Sequence, residues 1–317
     1  MRYVPLVNVI RSGFVECVHH GALVVLSPRG HIRHLRGSAD TPIYPRSTNK
    51  PLQAVGLLRA GYEPADDEHL ALASASHEGE PDHVAIVEGM LDKIGATEDM
   101  LQCPPDLPSN ETARARVIHR AEGLRRAYMN CSGKHAAMLA ACLQHDWPTA
   151  NYMAPNHPLQ THLAATVREL TGEAEHPLGV DGCGLPIVPV SLTGLARAFQ
   201  KLVTAVDGTF EHQVADVIRK HPYLLSGTGK TDVTLIRAVP GLVCKSGADG
   251  VFAGALPDGS AFAFKIADGH ERPRLPLAAA VLRALDAPGA SRIPATPVLG
   301  GGEPVGEVQI TVDAVQF

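Results

Sequence analysis

Ser47 and Lys50 have residue types and a spacing that could do chemistry. They stand three apart in PRSTNKPLQ, the only Ser-x-x-Lys in the 317-residue chain. A neutral lysine one helical turn from a serine can take the hydroxyl proton and turn the serine into a nucleophile for acyl transfer. Backbone N–H groups at a helix start would also face an oxyanion on a substrate carbonyl. The pair therefore predicts an acyl-transfer centre, provided that other residues complete it.

The same stretch also fits an ordinary helix start. Ser47 or Thr48 can cap the free N–H groups of the first turn, and Pro51 is tolerated there because its missing donor would have no partner. Apolar residues then recur at helical spacing until Gly61, which is typical of a left-handed stop. The motif alone leaves both interpretations open.

Two further groups could complete a site of this kind. Lys-Ser-Gly at 245–247 lies on a strand-like run, and acyl-serine enzymes of the β-lactamase type carry Ser-x-x-Lys first and Lys-Thr-Gly later. Ser76 in ASASHEGEPDH and Lys265 in AFAFKIADG are a second candidate pair. Lys265 stands among apolar residues, so it either extends from a sheet edge or is paired in a polar site.

Two cysteines lie in polar surroundings. Cys131 is in NCSGKHAAM and Cys183 is in VDGCGLP, and both segments join a turn to the start of a helix or strand. Two thiolates with a nitrogen ligand would suit zinc. The spacing is not that of an ordinary Cys-x-x-Cys pair, and a buried cysteine acting as a small apolar residue is the alternative.

A nucleotide-binding loop can be excluded. GTGKTD at 227–232 resembles one, but the P-loop pattern needs a glycine five residues before Gly229, where Leu224 stands. We interpret the segment as a turn with an exposed lysine.

Composition restricts the class of protein. The net charge of −5 without a lysine or arginine run argues against a nucleic-acid partner. No apolar stretch is long enough to span a membrane or to act as a signal peptide. The six cysteines are expected to be reduced thiols, and we expect a soluble, cytoplasmic protein.

The order of elements predicts the fold class. Short β-branched runs occupy the first 40 residues, helical patterns follow from about residue 50 to 220, and strands return in VTLIRAVPGLVCKSG, VFAGALPDG, SAFAFKIADG and EVQITVDAV. We predict an α/β (α+β) fold, in which N- and C-terminal strands share one antiparallel sheet with helices on its faces and a helical insertion. A single domain over 1–317 is expected, since no linker divides the chain.

Several of these stretches together resemble the rhizobial-type, thermolabile L-asparaginase family, also called asparaginase II. The matching segments run in the family's order and cover nearly the whole chain: PRSTNKPLQ, ASHEGEPDH, NCSGKHAAML, NHPLQTH, VDGCGLP and KIADG. The resemblance implies a fold like that of serine β-lactamases and bacterial glutaminases. It also implies hydrolysis of L-asparagine to L-aspartate and ammonia, and a homodimer.

Carried over by position, the resemblance implies specific roles. The catalytic pairs would be Ser47 with Lys50 and Ser76 with Lys265. A zinc ion would be held by Cys131, Lys134 and Cys183. Asp181 would hold the substrate α-ammonium group or orient a metal ligand, and Arg46 and His135 would contact the substrate or support the site. Glu78 departs from the small residue associated with that position, which leaves the preference for asparagine over glutamine open.

Two other interpretations remain. The chain could be another acyl-serine hydrolase, such as a glutaminase or a cytosolic β-lactamase relative, although that chemistry has no use for the cysteine–lysine clusters. It could also be a non-enzymatic relative that keeps zinc as a structural clamp. In that case zinc removal would unfold the protein, while Ser47→Ala would change nothing measurable.

Overall fold

The structure, a computed structural model, describes residues 1–316 and contains one large antiparallel sheet. Its strands are β1 Val4–Arg11, β2 Phe14–Leu26, β3 Ile32–Arg36, β6 Val243–Ser246, β7 Val251–Ala255, β8 Ala261–Ile266, β9 Pro297–Gly300 and β10 Glu303–Ile310, while β4 Gly179–Val180 and β5 Pro186–Ile187 form a separate hairpin. The sheet therefore uses strands from both ends of the chain, as the sequence predicted.

The N-terminal strands lie at the centre of the sheet. The order is β6-β7-β8-β2-β1-β10-β9, with β3 paired to β2 outside this path. Strand β2 pairs with β8 in a register that sets Ala22 opposite Lys265. On the other side, β1 pairs with β10, with Val9 opposite Val308. Lys265 is thus fixed on an interior strand, and β6 is left at an edge of the sheet.

Residues 1–316 also contain eleven α-helices. They are α1 Lys50–Arg59, α2 Asp67–Ala73, α3 Pro81–Lys93, α4 Glu111–His119, α5 Ser132–Gln144, α6 Pro158–Thr171, α7 Leu192–Thr204, α8 Phe210–Lys220, α9 Pro222–Ser226, α10 Thr231–Ala238 and α11 Arg274–Ala284. Three short 3₁₀ turns accompany them at Arg46–Asn49, Glu98–Met100 and Ala290–Arg292.

Helices cover the sheet and surround a buried central helix. Helix α7 packs against β2, β7 and β8, and α11 packs against β1 and β10. Helix α5 is buried from Ser132 to Cys142, in agreement with its run of small and apolar residues. Because Lys134 and His135 belong to this helix, their polar side chains are carried into the interior.

Two element predictions were wrong. The first 40 residues were predicted to contain only short strands, but residues 14–26 form one long strand, β2, of 13 residues. The run VTLIRAV was predicted as a strand but lies mostly in helix α10, where the negative charge of Asp232 in the first turn stabilises the helix by interacting with the positive end of its dipole.

No helix within residues 1–316 has the length and apolar character needed to cross a membrane.

Candidate active site

Ser47 lies in the 3₁₀ turn Arg46–Asn49, which runs directly into α1. The predicted cap is wrong, because neither end of this turn has a side-chain cap and Thr48 Oγ1 instead donates to the Pro45 carbonyl at 2.6 Å. Ser47 is partly exposed, and its hydroxyl is not used to cap the helix. The hydroxyl is therefore available for another role.

Lys50, the first residue of α1, is completely buried. Its Nζ donates to the carbonyl oxygens of Ala75 at 2.5 Å and Asn130 at 3.5 Å. Within residues 1–316 it makes no hydrogen bond to the Ser47 hydroxyl. The two carbonyls tie this lysine to the segments that carry Ser76 and Cys131.

Charge and burial act together on Lys50. Burial is the largest effect and lowers the pKa of the amine, Cys131 raises it, and the cations of Lys134 and Lys245 lower it again. The net direction is downward, because a charged amine loses its hydration in the interior. The environment thus favours the neutral, basic form that proton abstraction requires.

Ser76 has a buried hydroxyl without a hydrogen-bond partner among residues 1–316. Its backbone N–H donates to the Leu225 carbonyl at 2.9 Å, which fixes the segment against the end of α9. Its predicted partner Lys265 donates instead to the carbonyl of Asp249. The structure places Ser76 near Lys50, through Ala75, and the pairing of Ser76 with Lys265 stays a prediction.

An open cavity of about 470 Å³ lies beside the 3₁₀ turn. One part of its wall is charged and the other is apolar. The lining residues are Ile43, Tyr44, Arg46, Val180, Asp181, Gly182, Ile187, Asp249 and Lys265. Two cations and two carboxylates at one cavity match the two opposite charges of an α-amino acid.

Arg46 connects the two carboxylates of this cavity. Its Nε donates to Asp181 Oδ1 at 2.8 Å, and its second contact is an ion pair with Asp249. The backbone of Arg46 has φ +53°, a left-handed conformation that costs energy in a residue with a side chain. Such strain is typical of functional sites, so the conformation supports the candidate role of Arg46.

The predicted zinc ligands come together although they are far apart in sequence. Lys134 Nζ lies 3.7 Å from Cys183 Sγ, close to the separation of about 3.6 Å expected for nitrogen and sulfur ligands around tetrahedral zinc. A hydrogen bond from Cys183 lowers the pKa of the Cys131 thiol well below its usual range and raises that of Cys183. This favours a thiolate at Cys131. Two sulfurs and an amine in this arrangement fit a zinc ion.

The candidate zinc site needs Lys134 as its third ligand. No three histidine, cysteine, aspartate or glutamate side chains in residues 1–316 are grouped as a metal site. Lys134 Nζ also donates to Gln53 Oε1 at 3.4 Å, and both residues are buried. The amide oxygen of Gln53 therefore helps to aim the amine towards Cys183.

Asp181 supports the cluster from the side of the cavity. Its Oδ1 accepts from Arg46 and from the N–H of Gly182 at 2.9 Å, and its Oδ2 lies 3.9 Å from Cys183 Sγ. Burial raises the pKa of this carboxyl, but Lys134 and Arg46 outweigh burial and lower it. Asp181 is therefore an ionised link between the candidate metal ligands and Arg46.

His135 points into a separate buried contact. Its Nδ1 lies 2.7 Å from the Tyr152 hydroxyl, which accepts from the N–H of Gln102 at 2.8 Å. Its Nε2 is buried without a partner among residues 1–316. The hydroxyl proton of Tyr152 is thus directed at Nδ1, and a role of His135 in contacting the substrate or supporting the site stays a prediction.

The Lys-Ser-Gly segment at the end of strand β6 lies next to the 3₁₀ turn that carries Ser47. Lys245 is buried, and its Nζ lies 3.3 Å from Asp232 Oδ2. The two residues therefore form a buried ion pair near Lys50. Gly247, just after β6, packs so closely that an added Cβ would lie 2.7 Å from the Pro45 carbonyl. The strand edge therefore fixes the turn that holds Ser47.

Sequence reasoning missed Asp249 and Gln53. Both stand next to motifs that were recognised, since Asp249 follows Lys-Ser-Gly and Gln53 ends PRSTNKPLQ. Asp249 precedes Gly250, and an Asp-Gly pair is typical of a turn between two strands. Neither residue type nor spacing shows that its side chain faces a cavity.

The solved structures that this chain is similar to have low sequence identity and TM-scores below 0.5. A beta-lactamase described as putative, from Bacteroides dorei, matches with 12% identity and a TM-score of 0.43, covering 78% of this chain and 85% of that chain. A beta-lactamase from Mycobacterium bovis matches with 16% identity and a TM-score of 0.40, covering 79% and 88%. Mglu in 4.3 M NaCl matches with 15% identity and a TM-score of 0.41, covering 84% and 61%.

Sequence comparison settles the family. No curated protein sequence matches this chain. The profile of the L-asparaginase II family matches residues 7–310, which contain every candidate residue described above. The resemblance expected from the motifs is confirmed, and the chain belongs to the L-asparaginase II family, a family of amidohydrolases.

Proposed function

We propose that this amidohydrolase is a cytoplasmic L-asparaginase, active as a homodimer, that converts L-asparagine to L-aspartate and ammonia through an acyl-enzyme. Family membership supports the reaction. The expected dimer rests on the resemblance, and the expected location rests on the composition of the sequence. The attacking residue is Ser47, with Lys50 as its base.

The observation that carries the proposal is the position of Lys50. It is a fully buried amine one turn after a partly exposed serine, with two other cations near it. A surface lysine after a helix cap would be hydrated and charged. Burial of this kind supports a catalytic base more than a structural residue.

The proposed reaction has two steps. The Ser47 hydroxyl oxygen attacks the side-chain amide carbon, and its proton passes to neutral Lys50. The C–N bond then breaks, and the proton leaves with the amide nitrogen as ammonia. Water attacks the resulting ester, Lys50 takes a proton from it, and that proton returns to Ser47 as L-aspartate is released.

Other residues bind and orient. Arg46 and Lys265 supply positive charge for the substrate carboxylate at the cavity wall. Cys131, Lys134 and Cys183 would hold zinc, which when bound supplies a fixed positive charge that polarises or orients a substrate oxygen. Ser76, beside Lys50, is the alternative nucleophile because its hydroxyl has no other use among residues 1–316.

Ammonia release from L-asparagine and L-glutamine tests the proposal. Ser47→Ala is expected to lower asparagine turnover by at least about 10³-fold, because removing a nucleophile removes the covalent route. Ser291→Ala is the matched control, since Ser291 also lies in a 3₁₀ turn but is exposed and remote from the cavity. Circular dichroism checks that each variant is folded.

Three results would change the proposal. Loss of activity in Ser76→Ala with retention in Ser47→Ala would exchange the roles of the two serines. A clear preference for L-glutamine would make the protein a glutaminase. Folded, zinc-loaded wild-type protein that releases ammonia from neither amide would contradict the function.

A further inference from the structure

An α-amino acid substrate needs a carboxylate partner for its ammonium group, and the cavity offers two. Asp181 and Asp249 both line it, and both pair with Arg46. Their surroundings differ enough to separate their roles. The inference that follows rests on the proposed function and concerns how the same site recognises its substrate.

Asp181 is already committed to the protein. Its Oδ1 accepts from Arg46 Nε and from the N–H of Gly182, and its Oδ2 faces Cys183. The side chain is only 10% exposed. Through these contacts the Asp181 carboxylate holds the Arg46 guanidinium and the loop that carries Cys183. A substrate ammonium could bind Asp181 only by displacing one of these contacts.

Asp249 has the opposite character. Its side chain is 61% exposed at the cavity, and within residues 1–316 Arg46 is the one hydrogen-bond partner of its carboxylate. Lys265 donates to its backbone carbonyl and leaves the carboxylate free on its other sides. The accessible negative charge of the cavity is therefore that of Asp249.

The backbone at Asp249 is left-handed, as it is at Arg46. Asp249 has φ +54° and Arg46 has φ +53°, so two left-handed residues with side chains face each other across the cavity wall. Aspartate tolerates this conformation better than most residues, but it still persists only where surrounding contacts impose it. Here the contacts present a carboxylate and a guanidinium side by side.

We propose that Asp249 binds the α-ammonium group of the amino-acid substrate while Arg46 binds its α-carboxylate. The substrate carboxylate takes the place of the Asp249 carboxylate on Arg46, and the released Asp249 accepts the ammonium. Asp181 keeps Arg46 in position throughout. Asp249 is thus the residue that makes the site specific for amides of α-amino acids.

The test compares Asp249→Asn with Asp286→Asn. Asparagine keeps the shape and the left-handed backbone but removes the charge, and intact mass spectrometry verifies that the new amide has not deamidated. Asp286 is the matched control, because it is an exposed aspartate at φ +52° outside the cavity. For L-asparagine we expect Asp249→Asn to raise KM about tenfold or more, as for loss of a charged hydrogen bond, with kcat within about threefold. Asp286→Asn is expected to match wild type.

A substrate analogue without an amino group shows whether Asp249→Asn weakens binding of the ammonium group or acts only by disturbing Arg46. Succinamate keeps the carboxylate and side-chain amide of asparagine but has no amino group. Its inhibition constant should be no higher for Asp249→Asn than for wild type, because the analogue has no ammonium group to lose a partner and no longer competes with the Asp249 carboxylate for Arg46. A KM within twofold of wild type, or equal weakening of asparagine and succinamate, would overturn the inference while asparaginase activity stands. Wild-type protein inactive on both amides would instead overturn the function, and this inference with it.

Discussion

At the scale of single residues, Lys134 decides how a metal ion could bind. Burial lowers the pKa of its amine, but the negative charge of the cysteine pair Cys183 and Cys131 outweighs burial and raises it. The ammonium form is therefore stabilised beside the thiolate. Because only the neutral amine has a lone pair for zinc, binding has to displace a proton, and zinc affinity should rise with pH.

Zinc content tests this residue cluster directly. Wild-type protein loaded with zinc chloride and dialysed should retain about one zinc per chain, whereas Cys183→Ser should retain far less. Cys142→Ser is the control, because Cys142 is also a buried cysteine but lies two turns further along α5 than Lys134 and is not one of the three candidate ligands. Elemental analysis gives the readout, with circular dichroism for folding.

Two outcomes would contradict the zinc site. One is equal zinc retention in Cys183→Ser and Cys142→Ser, and the other is wild-type protein without retained zinc. A chelator that unfolds the protein, combined with full activity of Ser47→Ala, would favour the non-enzymatic interpretation instead.

Sequence reasoning located most candidate residues but not their contacts. The Ser-x-x-Lys spacing was enough to single out Ser47 and Lys50, because both belong to one turn. The grouping of Lys134 with Cys183 came from the family resemblance, since 49 residues separate them and no periodicity links them. Asp249 stayed unnoticed because its role depends on a cavity formed by Arg46, which is distant in sequence.

At the scale of elements, the contact between the end of β6 and the 3₁₀ turn Arg46–Asn49 positions Ser47, the proposed nucleophile. A Cβ on Gly247 would lie 2.7 Å from the Pro45 carbonyl and 3.2 Å from Thr48. The carbonyl of Gly247 is also held by Arg274 at 2.9 Å. The strand therefore has little freedom to move away from the turn.

Gly247→Ala should reduce both activity and stability. The added methyl group has to push the turn that carries Ser47, and a displacement of about 1 Å can cost about 100-fold in rate. We expect kcat/KM to fall about 10- to 100-fold, with a loss of about 1–3 kcal/mol in the free energy of unfolding. Steady-state kinetics and urea denaturation measure the two effects.

Gly89→Ala is the matched control for Gly247→Ala. Gly89 lies exposed within α3, and an added Cβ there meets nothing within 4 Å. It should leave activity unchanged and stabilise the helix by about 0.5–1 kcal/mol. Unchanged kcat/KM in Gly247→Ala would show that the strand does not position the turn.

Local sequence patterns predicted a secondary-structure element correctly where its residues clearly favoured one conformation. The Lys-Ser-Gly strand, the buried helix α5 and the left-handed stop at Gly61 were all found, the last with φ +81°. Helix α10 was missed because its β-branched residues suggest a strand, whereas its packing and Asp232 favour a helix. The cap at Ser47 was wrong because a 3₁₀ turn, which residue types do not reveal, precedes the helix.

At the scale of the whole molecule, the fold carries polar side chains into a continuous interior. That strands from both chain ends share one antiparallel sheet was predictable from the order of elements, whereas the order of the strands was not predicted. The burial of individual histidines was not, because it results from helices that are adjacent only in the folded chain. His77 and His135 are both completely buried, one in the loop after α2 and one in α5.

These two histidines make the fold sensitive to acid. Burial lowers the pKa of each well below its ordinary value, and neighbouring cations or histidines lower it further. His77 is held neutral by its bonds, since Nδ1 accepts from the Gly79 N–H at 3.1 Å and Nε2 lies 2.8 Å from Ser132 Oγ. The unfolded chain binds protons near pH 6.5, so the stabilisation is present above that pH and is lost as pH falls below it.

The free energy of unfolding should therefore drop between pH 7.5 and pH 5.5 by about 1.4 kcal/mol for each of the two histidines, or about 3 kcal/mol in total. Urea denaturation with a chelator present measures the drop without a contribution from metal release. His77→Gln removes one titrating group and should reduce the drop by about 1.4 kcal/mol, although the variant is less stable at every pH. His119→Gln, at the exposed end of α4, should follow wild type. If His77→Gln instead lost stability as steeply as wild type over this range, proton binding by the unfolded chain at His77 would not be the cause, and acid sensitivity would have to arise from groups elsewhere in the fold.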